Sequence, residues 1–376
     1  MVFLHNQTKH PLIPQSDREA ERKLAQKTQN FRRDFFLLLK EQIEAIASQS
    51  AKESNNQVYA RVRQQLNQNP DIQEGHRQRT LLQDELWQQV ISSINGDRLR
   101  LTKAFEFYHW QKNQGLLELN PEMEYPAHQL KTEIHRMPGG YCQNCDESDF
   151  FTGAMYDHGV FLYGQGWFGG LNDELGKTVI NHVLWQHYPQ LKPQTILDLG
   201  CSVGHSTLPY KEEYPDAEVW GIDLGAALLR YASARAKSLE REVYFSQQNA
   251  EQTSFQNNYF DLIVSHILLH EIPSGSRKKV FQESYRLLKP GGVMIHIDSQ
   301  SFLSPSNLIT RYFRDTEVWV NSEPYLGSSN LADLQRYVKE AGFDRKEFKV
   351  DLVPGYYAVQ KGNDKAGWMA LSVKKR

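Results

Sequence analysis

Residues 196–206 read ILDLGCSVGHS, an apolar run that passes through Asp198 into a loop with two glycines, Gly200 and Gly204. The pattern predicts a strand, a tight turn and the start of a helix. Parallel α/β sheets open a crevice at the carboxyl ends of their strands, and glycine lets the backbone approach a ligand because it has no Cβ. We therefore predict a nucleotide-like ligand at this turn.

A second strand with an acidic end follows at a suitable distance. Residues 219–224 read VWGIDL, which places Asp223 about 25 residues after Asp198. A carboxylate at the end of that strand can accept hydrogen bonds from both hydroxyls of a ribose. The alternative is that Asp223 only caps the next helix.

Helical and strand patterns alternate through the second half of the chain. The patterns indicate helices at 172–188, 206–213, 226–239 and 275–288, and strands at 195–199, 218–222, 243–247, 260–265 and 292–298. This alternation is typical of a doubly wound α/β sheet. The fold class predicted is a Rossmann-like α/β sheet with a helical N-terminal domain.

The first 120 residues differ from the rest. Residues 16–108 are rich in glutamine and helical in period. We predict a helical N-terminal domain over 1–120, an aromatic and glycine-rich lid or connector over 121–170 with the character of an ordered loop, and a catalytic domain over 171–376. Two interpretations of the helical domain stay open: a structural bundle, which is also a candidate homodimer surface, and part of a substrate lid.

Composition limits the classes of partner. The 376 residues carry 43 Lys and Arg against 45 Asp and Glu, so there is no general electrostatic reason to expect nucleic acid or an anionic membrane. The sequence has no secretory signal and no apolar run of the ~18 residues that a membrane helix needs. Three cysteines are too few for a disulfide framework, so we expect a cytoplasmic location.

A metal site is not expected. Cys142 and Cys145 form one CxxC pair, and no second pair follows. A zinc site there would have to recruit His128 or His135, and a lone pair in a loop is more often two ordinary thiols.

Four motifs taken together resemble those of class I S-adenosylmethionine-dependent methyltransferases, particularly the group that includes ubiquinone and menaquinone biosynthesis methyltransferases. They are the glycine loop ILDLGCSVGHS, the acidic strand end GIDLGAALLRYA, the adenine-contacting turn QQNAEQTSF and the helix, turn and fifth strand YRLLKPGGVMIHID. The resemblance covers about 172–376. It implies a seven-stranded methyltransferase sheet and S-adenosylmethionine as cofactor.

The resemblance also implies a set of cofactor-binding residues. Asp198 would anchor the methionine end indirectly, Asp223 would hold the ribose, and Leu224 would pack on the adenine. Two positions depart from the family pattern: Ser202 replaces a glycine and is small enough to fit, and Asn249 replaces an aspartate but can still accept from the adenine amino group. The full predicted set is Asp198, Gly200, Ser202, Gly204, Asp223, Leu224, Asn249, Ala250, Ser265 and Tyr163.

Three ionisable residues near the end of the fourth strand are candidates for catalysis: His266, His270 and Glu271. Methyl transfer needs a nucleophile held about 3 Å from the methyl carbon and free of its proton. Histidine titrates near neutral pH and suits proton removal. Alternatively, His266 packs on the cofactor and His270 has a structural role, while Glu271 orients His270 or binds a cationic substrate.

The predicted acceptor-binding residues come from three segments. The connector supplies an aromatic cluster that can exclude water, the insertion at 299–329 supplies a second wall, and the connection between the last two strands supplies a third. The alternative for the aromatic cluster is plain interdomain core. The predicted set is Tyr156, Trp167, Phe168, Arg311, Tyr325 and Tyr356.

These patterns predict an enzyme that methylates a nitrogen or oxygen of a small metabolite in specialised biosynthesis. One alternative is carbon methylation of a quinone-like ring. A second, from a different class, is a non-catalytic scaffold or dimerisation protein that keeps the cofactor fold without turnover.

Overall fold

A mixed β-sheet organises the second half of the chain. The computed structural model describes residues 10–15, 18–49, 54–111, 115–146, 148–303, 307–328 and 330–376. Within them the sheet has eight strands. They are β1 (Leu117–Glu118), β2 (Thr195–Leu199), β3 (Glu218–Asp223), β4 (Tyr244–Gln247), β5 (Phe260–His266), β6 (Leu288–Asp298), β7 (Lys349–Pro354) and β8 (Ala366–Lys374).

The strand order is β1-β4-β3-β2-β5-β6-β8-β7, with β8 antiparallel to both of its neighbours. The order β4-β3-β2-β5-β6 follows the doubly wound rule, in which the chain reverses direction across the sheet between β2 and β5. The predicted Rossmann-like α/β sheet is confirmed, and the two-residue β1 adds an eighth strand at its edge. β1 lies within the segment 1–120, for which the sequence predicts helix.

Helices occupy most of the remaining described chain. They are α1 (Arg18–Ser48), α2 (Asn55–Gln68), α3 (Pro70–Gly96), α4 (Arg98–His109), α5 (Ala127–Lys131), α6 (Phe151–Tyr163), α7 (Glu174–Val179), α8 (Trp185–His187), α9 (Leu208–Glu213), α10 (Ala226–Ser238), α11 (Ser274–Leu287), α12 (Leu308–Val320), α13 (Leu331–Ala341) and α14 (Tyr356–Gln360). A π-helical turn, Ile180–Leu184, joins α7 to α8. None of these helices combines the length and apolar character needed to cross a bilayer.

Two hydrophobic cores lie on opposite faces of the sheet. Consecutive strand residues alternate between them, so that Ile196 belongs to one core and Leu197 to the other. Leu229 of α10 packs in the first core, and Phe281 of α11 packs in the second. Helices on both faces explain why β2 and β5 are apolar along most of their length.

The N-terminal helices pack against the catalytic half rather than apart from it. Residues of α1, α2 and α3 share a core with Tyr312 of α12, and α3 and α4 join α6 and α10 in another. The predicted helical domain starts at residue 1, but residues 1–9 lie outside the described part of the chain.

One structural prediction for the connector was wrong. The glycine-rich stretch that we expected to be loop contains α6, and two of its glycines face neighbouring helices. A Cβ built on Gly153 lies 2.3 Å from Cβ of Tyr231, and one built on Gly159 lies 2.4 Å from the ring of Trp87. These glycines serve close helix packing rather than turns, which composition alone does not distinguish.

His296 is a polar residue buried inside the sheet. It lies in β6 with no exposed surface, and its Nδ1 is 2.6 Å from Oγ of Ser265 on β5. Burial, with a smaller contribution from the nearby His266, lowers the pKa of His296 to about 3. The folded chain therefore holds this imidazole neutral at pH values where the unfolded chain would protonate it.

Replacing Gly159 by alanine should destabilise the fold, because the new methyl group displaces the Trp87 ring. We expect a net loss of up to about 2 kcal/mol, from an overpacking penalty of roughly 1–3 kcal/mol less a gain of about 1 kcal/mol in helix propensity. Denaturant unfolding measures the change. The matched control is Gly275→Ala in α11, where nothing lies within 4 Å; it should be neutral or slightly stabilising. Equal effects in the two variants would contradict the packing role of Gly159.

The lowered pKa of His296 also predicts how the stability of the fold depends on pH. The unfolded imidazole titrates near 6.5 and the folded one near 3, so unfolding free energy falls as the pH drops from 6.5 towards 3. At pH 5 this one residue should account for about 2 kcal/mol. In His296→Gln, the loss of stability between pH 7 and pH 5 should be smaller by that amount. Identical pH profiles for the two proteins would rule the contribution out.

Candidate functional site

Two cavities adjoin at the carboxyl ends of the central strands. The smaller has a volume of about 100 Å³ and the larger about 450 Å³. They share a boundary where the loop after β2 meets the end of β5. The residues that line both cavities are Tyr141, Tyr156, Gly200, Ser202, His266 and Ile267.

The smaller cavity brings together four predicted cofactor residues: Asp223, Leu224, Asn249 and Ala250. Asp223 ends β3, and its two carboxylate oxygens accept hydrogen bonds from the backbone N–H of Ser202 and of Gly225, both at 2.9 Å. Burial raises the pKa of Asp223, while these amides oppose the rise. The amide oxygen of Asn249 accepts from N–H of Glu251 at 2.9 Å. The cavity thus places a carboxylate and an amide at the ends of adjacent parallel strands.

The loop after β2 is held in a left-handed conformation. Gly200, Ser202 and Gly204 have φ angles of 70°, 49° and 76°. N–H of Gly200 donates to the carbonyl of Ile222 at 2.8 Å, which ties the loop to β3. A positive φ favours glycine, which explains why the family pattern has glycine at the position of Ser202. Gly204 lies outside the lining of both cavities; its missing side chain makes room for the ring of Phe245, since a Cβ built there would lie 3.3 Å from that ring.

Asp198 is buried and binds two neighbouring side chains. Its carboxylate accepts from the hydroxyl of Thr207 at 2.6 Å and from Nδ1 of His266 at 3.0 Å. The other ring nitrogen of His266, Nε2, lies 2.9 Å from the hydroxyl of Tyr210. Both nitrogens of His266 are therefore engaged by protein groups, and its ring borders both cavities.

His270 and Glu271 belong to a buried ionic cluster between the cavities, in which His270 lines the larger cavity and Glu271 the smaller one. Nδ1 of His270 lies 2.5 Å from a carboxylate oxygen of Asp298, and its Nε2 lies 3.5 Å from Oε1 of Glu271. Burial alone would lower the pKa of His270, but these two carboxylates raise it to about 10. Burial would raise the pKa of Glu271, but His135 and His270 lower it to about 2. In this arrangement His270 holds a proton at neutral pH, so its Nε2 can act as a base or as a ligand only once that proton is displaced.

The larger cavity receives its walls from several parts of the chain. Of the predicted residues, Tyr156, Tyr163 and Phe168 line it; Tyr163 was predicted to contact the cofactor, but it lies away from the smaller cavity. The guanidinium of Arg32 lies 4.8 Å from the centre of the Tyr163 ring. Asp198 and His270 also contribute to this lining.

Four predicted acceptor residues line neither cavity. Trp167 is 59% exposed. Arg311 turns to the N-terminal helices and lies 3.8 Å over the ring of Tyr59. Tyr325 packs edge-on against His128, and Tyr356 lies in α14 against Tyr357.

Ser265 is also absent from the lining. It precedes His266 on β5, and successive strand residues point to opposite faces, so only His266 reaches the cavities. The hydroxyl of Ser265 instead meets His296.

Sequence reasoning missed several lining residues: Gln83 and Trp87 of α3, Tyr141, His205, Phe313, Arg314 and Glu323. Gln83 and Trp87 are four residues apart and share one helix face, which is the only signal for them in the sequence. Both donate hydrogen bonds to the carbonyl of His135, at 3.2 and 2.8 Å. The sequence suggests His135 only as a partner of the CxxC pair.

The comparisons with known proteins point to one family. Residues 196–292 match the methyltransferase domain family. Phosphoethanolamine N-methyltransferase 3 of Arabidopsis thaliana is 30% identical over 159 residues, which are 41% of this chain and 30% of that protein. A ubiquinone/menaquinone biosynthesis C-methyltransferase of Vibrio campbellii is 26% identical over 51% of this chain and 81% of its own. The chain spans about a third of the length of the plant relatives.

A solved structure of Haemonchus contortus phosphoethanolamine N-methyltransferase 2, in complex with S-adenosylmethionine, aligns with 58% of this chain and 57% of its own at 20% identity, with a TM-score of 0.43. The match over 196–292 covers β2 to β5 and the glycine loop, the part of the chain that supplies most of the residues lining the smaller cavity. The chain therefore carries a class I S-adenosylmethionine-dependent methyltransferase domain.

Proposed function

We propose that this chain transfers a methyl group from S-adenosylmethionine to a nitrogen or oxygen of a small metabolite. The observation that carries the proposal is the shared boundary of the two cavities, formed by Tyr156, Gly200, Ser202 and His266 among others. With adenosine in the smaller cavity, the sulfonium methyl group would lie at this boundary and point into the larger one. Methyl transfer needs that geometry, because the nucleophile must approach in line with the bond that breaks.

The cofactor would be held as follows. Asp223 accepts the ribose hydroxyls, Leu224 packs on the adenine, and Asn249 and Ala250 meet the ring edge. Asp198 acts on the methionine end through His266 and Thr207, which it binds directly. These roles fit the residues that line the smaller cavity and the hydrogen bonds that fix them.

The larger cavity supports a small-molecule acceptor. Its volume of about 450 Å³ falls within the range of roughly 300–1,000 Å³ for small-molecule sites. Aromatic rings of Trp87, Tyr163, Phe168 and Phe313 form much of the wall. Histidine, carboxylate and arginine side chains also line it, namely His135, His205, His266, His270, Asp198, Glu323 and Arg314. Carbon methylation of a quinone-like ring is the second candidate, favoured by the same aromatic wall and by the similarity to a C-methyltransferase.

Three further parts of the proposal concern the whole chain. We place the reaction in the cytoplasm, because all three cysteines are free thiols. The helical segment 1–120 acts as a wall of the acceptor cavity through α3, and its outer face is a candidate homodimer surface. A role as a scaffold without turnover is disfavoured, because such a protein has no need for a cavity next to the cofactor.

Asp223→Asn should weaken S-adenosylmethionine binding by about 10- to 100-fold, because hydrogen bonds to a charged acceptor contribute roughly 1.5–3 kcal/mol. Asparagine keeps an acceptor for one of the two amides that Asp223 binds, and circular dichroism checks that the fold survives. Calorimetry measures the affinity. Asp216→Asn, at an exposed carboxylate before β3, is the matched control and should bind normally. Unchanged affinity in Asp223→Asn, or no binding by the natural chain, would contradict the cofactor assignment and favour the scaffold.

A metabolite screen that follows S-adenosylhomocysteine release should identify an acceptor, and a bulky variant then tests where it binds. Val160→Trp fills the larger cavity without touching the smaller one. We expect kcat/KM for the acceptor to fall at least about tenfold, because small misplacements strongly slow the transfer, while the cofactor Kd stays unchanged. Val359→Trp, at a partly exposed position in α14, is the control. A normal kcat/KM in Val160→Trp would place the acceptor elsewhere.

A further inference from the structure

The side chains of His135, His270 and Glu271 converge on one point beside the larger cavity. Nε2 of His135 lies 3.0 Å from Oε1 of Glu271, and Nε2 of His270 lies 3.5 Å from the same oxygen. One ligand atom from each residue can be chosen so that all lie within 4.8 Å of one another. Bonds of about 2.0–2.2 Å to a common ion require separations of this order. We propose that these three residues bind a divalent transition-metal ion.

The second ring nitrogen of each histidine, Nδ1, also contacts protein groups. Nδ1 of His270 lies 2.5 Å from Asp298, and Nδ1 of His135 lies 3.3 Å from Glu323. In metal sites a carboxylate commonly accepts the second N–H of a ligating histidine, which fixes the tautomer and turns the other nitrogen to the ion. Both histidines have a carboxylate beside Nδ1, but at His135 the amide nitrogen of Asn321 lies closer, at 3.0 Å. Both present Nε2 to Glu271.

The second carboxylate oxygen of Glu271 is a further feature that favours a bound cation. The residue is only 9% exposed, and its second oxygen, Oε2, is buried without a hydrogen-bond partner among the described residues. An orphaned carboxylate oxygen in a buried position is costly unless a cation compensates it. Oε1 already faces both histidines, so an ion at the convergence point lies within reach of the carboxylate.

The backbone at His135 is held in an uncommon conformation. Its φ is 55°, and that of the next residue, Arg136, is 57°. Three side chains of α3 fix this segment: Gln83 and Trp87 bind the carbonyl of His135, and Asp84 pairs with the guanidinium of Arg136 at 2.6 Å. Strained residues persist where the surroundings determine them, typically at functional sites. Helix α3 thus holds His135 in place beside the catalytic half of the chain.

The donor set selects the kind of ion. Two imidazoles and one carboxylate suit Fe²⁺ or Zn²⁺, whereas Mg²⁺ and Ca²⁺ prefer oxygen ligands. Three protein ligands leave positions open, and His135 and His270 both line the larger cavity. If the proposed function holds, an acceptor hydroxyl would complete the coordination there, and the ion would favour its deprotonated form.

Titration of the full-length, chelator-treated chain with Co²⁺ tests the site by its visible absorption, without cofactor or acceptor. We expect about one equivalent to bind and to raise the melting temperature. His135→Gln and Glu271→Gln should lose the signal, and His187→Gln should keep it, because that histidine pairs with Asp351 outside both cavities. Glu323→Gln should weaken binding by about 10- to 100-fold, since it acts only through His135.

Two results would overturn the site: no saturable Co²⁺ signal in the natural chain, or equal binding by Glu271→Gln. Either would leave an ionic cluster that only stiffens the cavity wall. If a ligand variant fails to fold, as judged by circular dichroism, Glu323→Gln decides, and full Co²⁺ affinity there would reject the arrangement. Because S-adenosylmethionine affinity is measured separately, failure of the metal site is distinguishable from failure of the methyltransferase proposal.

Discussion

The site depends on how the loop after β2 is tied to the end of β3. The carbonyl of Ile222 accepts from N–H of Gly200, and the carboxylate of Asp223 accepts from N–H of Ser202. These bonds compensate the left-handed backbone of the loop and set its distance from the neighbouring strand. Without them the crevice between the two strand ends would have no fixed width, and neither cavity would keep its boundary.

The second constraint comes from outside the domain that matches the family. α3 holds His135 through Gln83 and Trp87, and α12 carries Phe313 and Arg314 into the larger cavity. The cofactor side is thus built from residues close in sequence, whereas the acceptor side is assembled from distant segments. With such a division, the acceptor pocket can differ between proteins of one fold while the cofactor-binding site stays the same.

This division also explains which features the sequence could predict. The strands from β2 to β6 and the residues of the smaller cavity follow from short motifs, because a strand and its following turn are contiguous. His135 meets Glu271 across 136 positions, and no local pattern reports that pairing. Arg311 and Ser265 show a second limit: their positions in the family pattern suggested a ligand contact, but Arg311 lies on Tyr59, and strand alternation turns Ser265 to His296. Helical period likewise predicted helix over 16–108 without indicating what these helices pack against.

Two non-glycine residues with positive φ lie where the two cavities meet. Ser202 has φ of 49° and Ile267 has φ of 51°, and both line the shared boundary. A β-branched residue with positive φ is a genuine outlier, and each such residue costs about 1–3 kcal/mol. Ile267 is retained by a 2.8 Å bond from its N–H to the carbonyl of Ile297 on β6. The sheet therefore stabilises a conformation that an isolated loop would not adopt, and it does so at the place where the methyl group would be transferred.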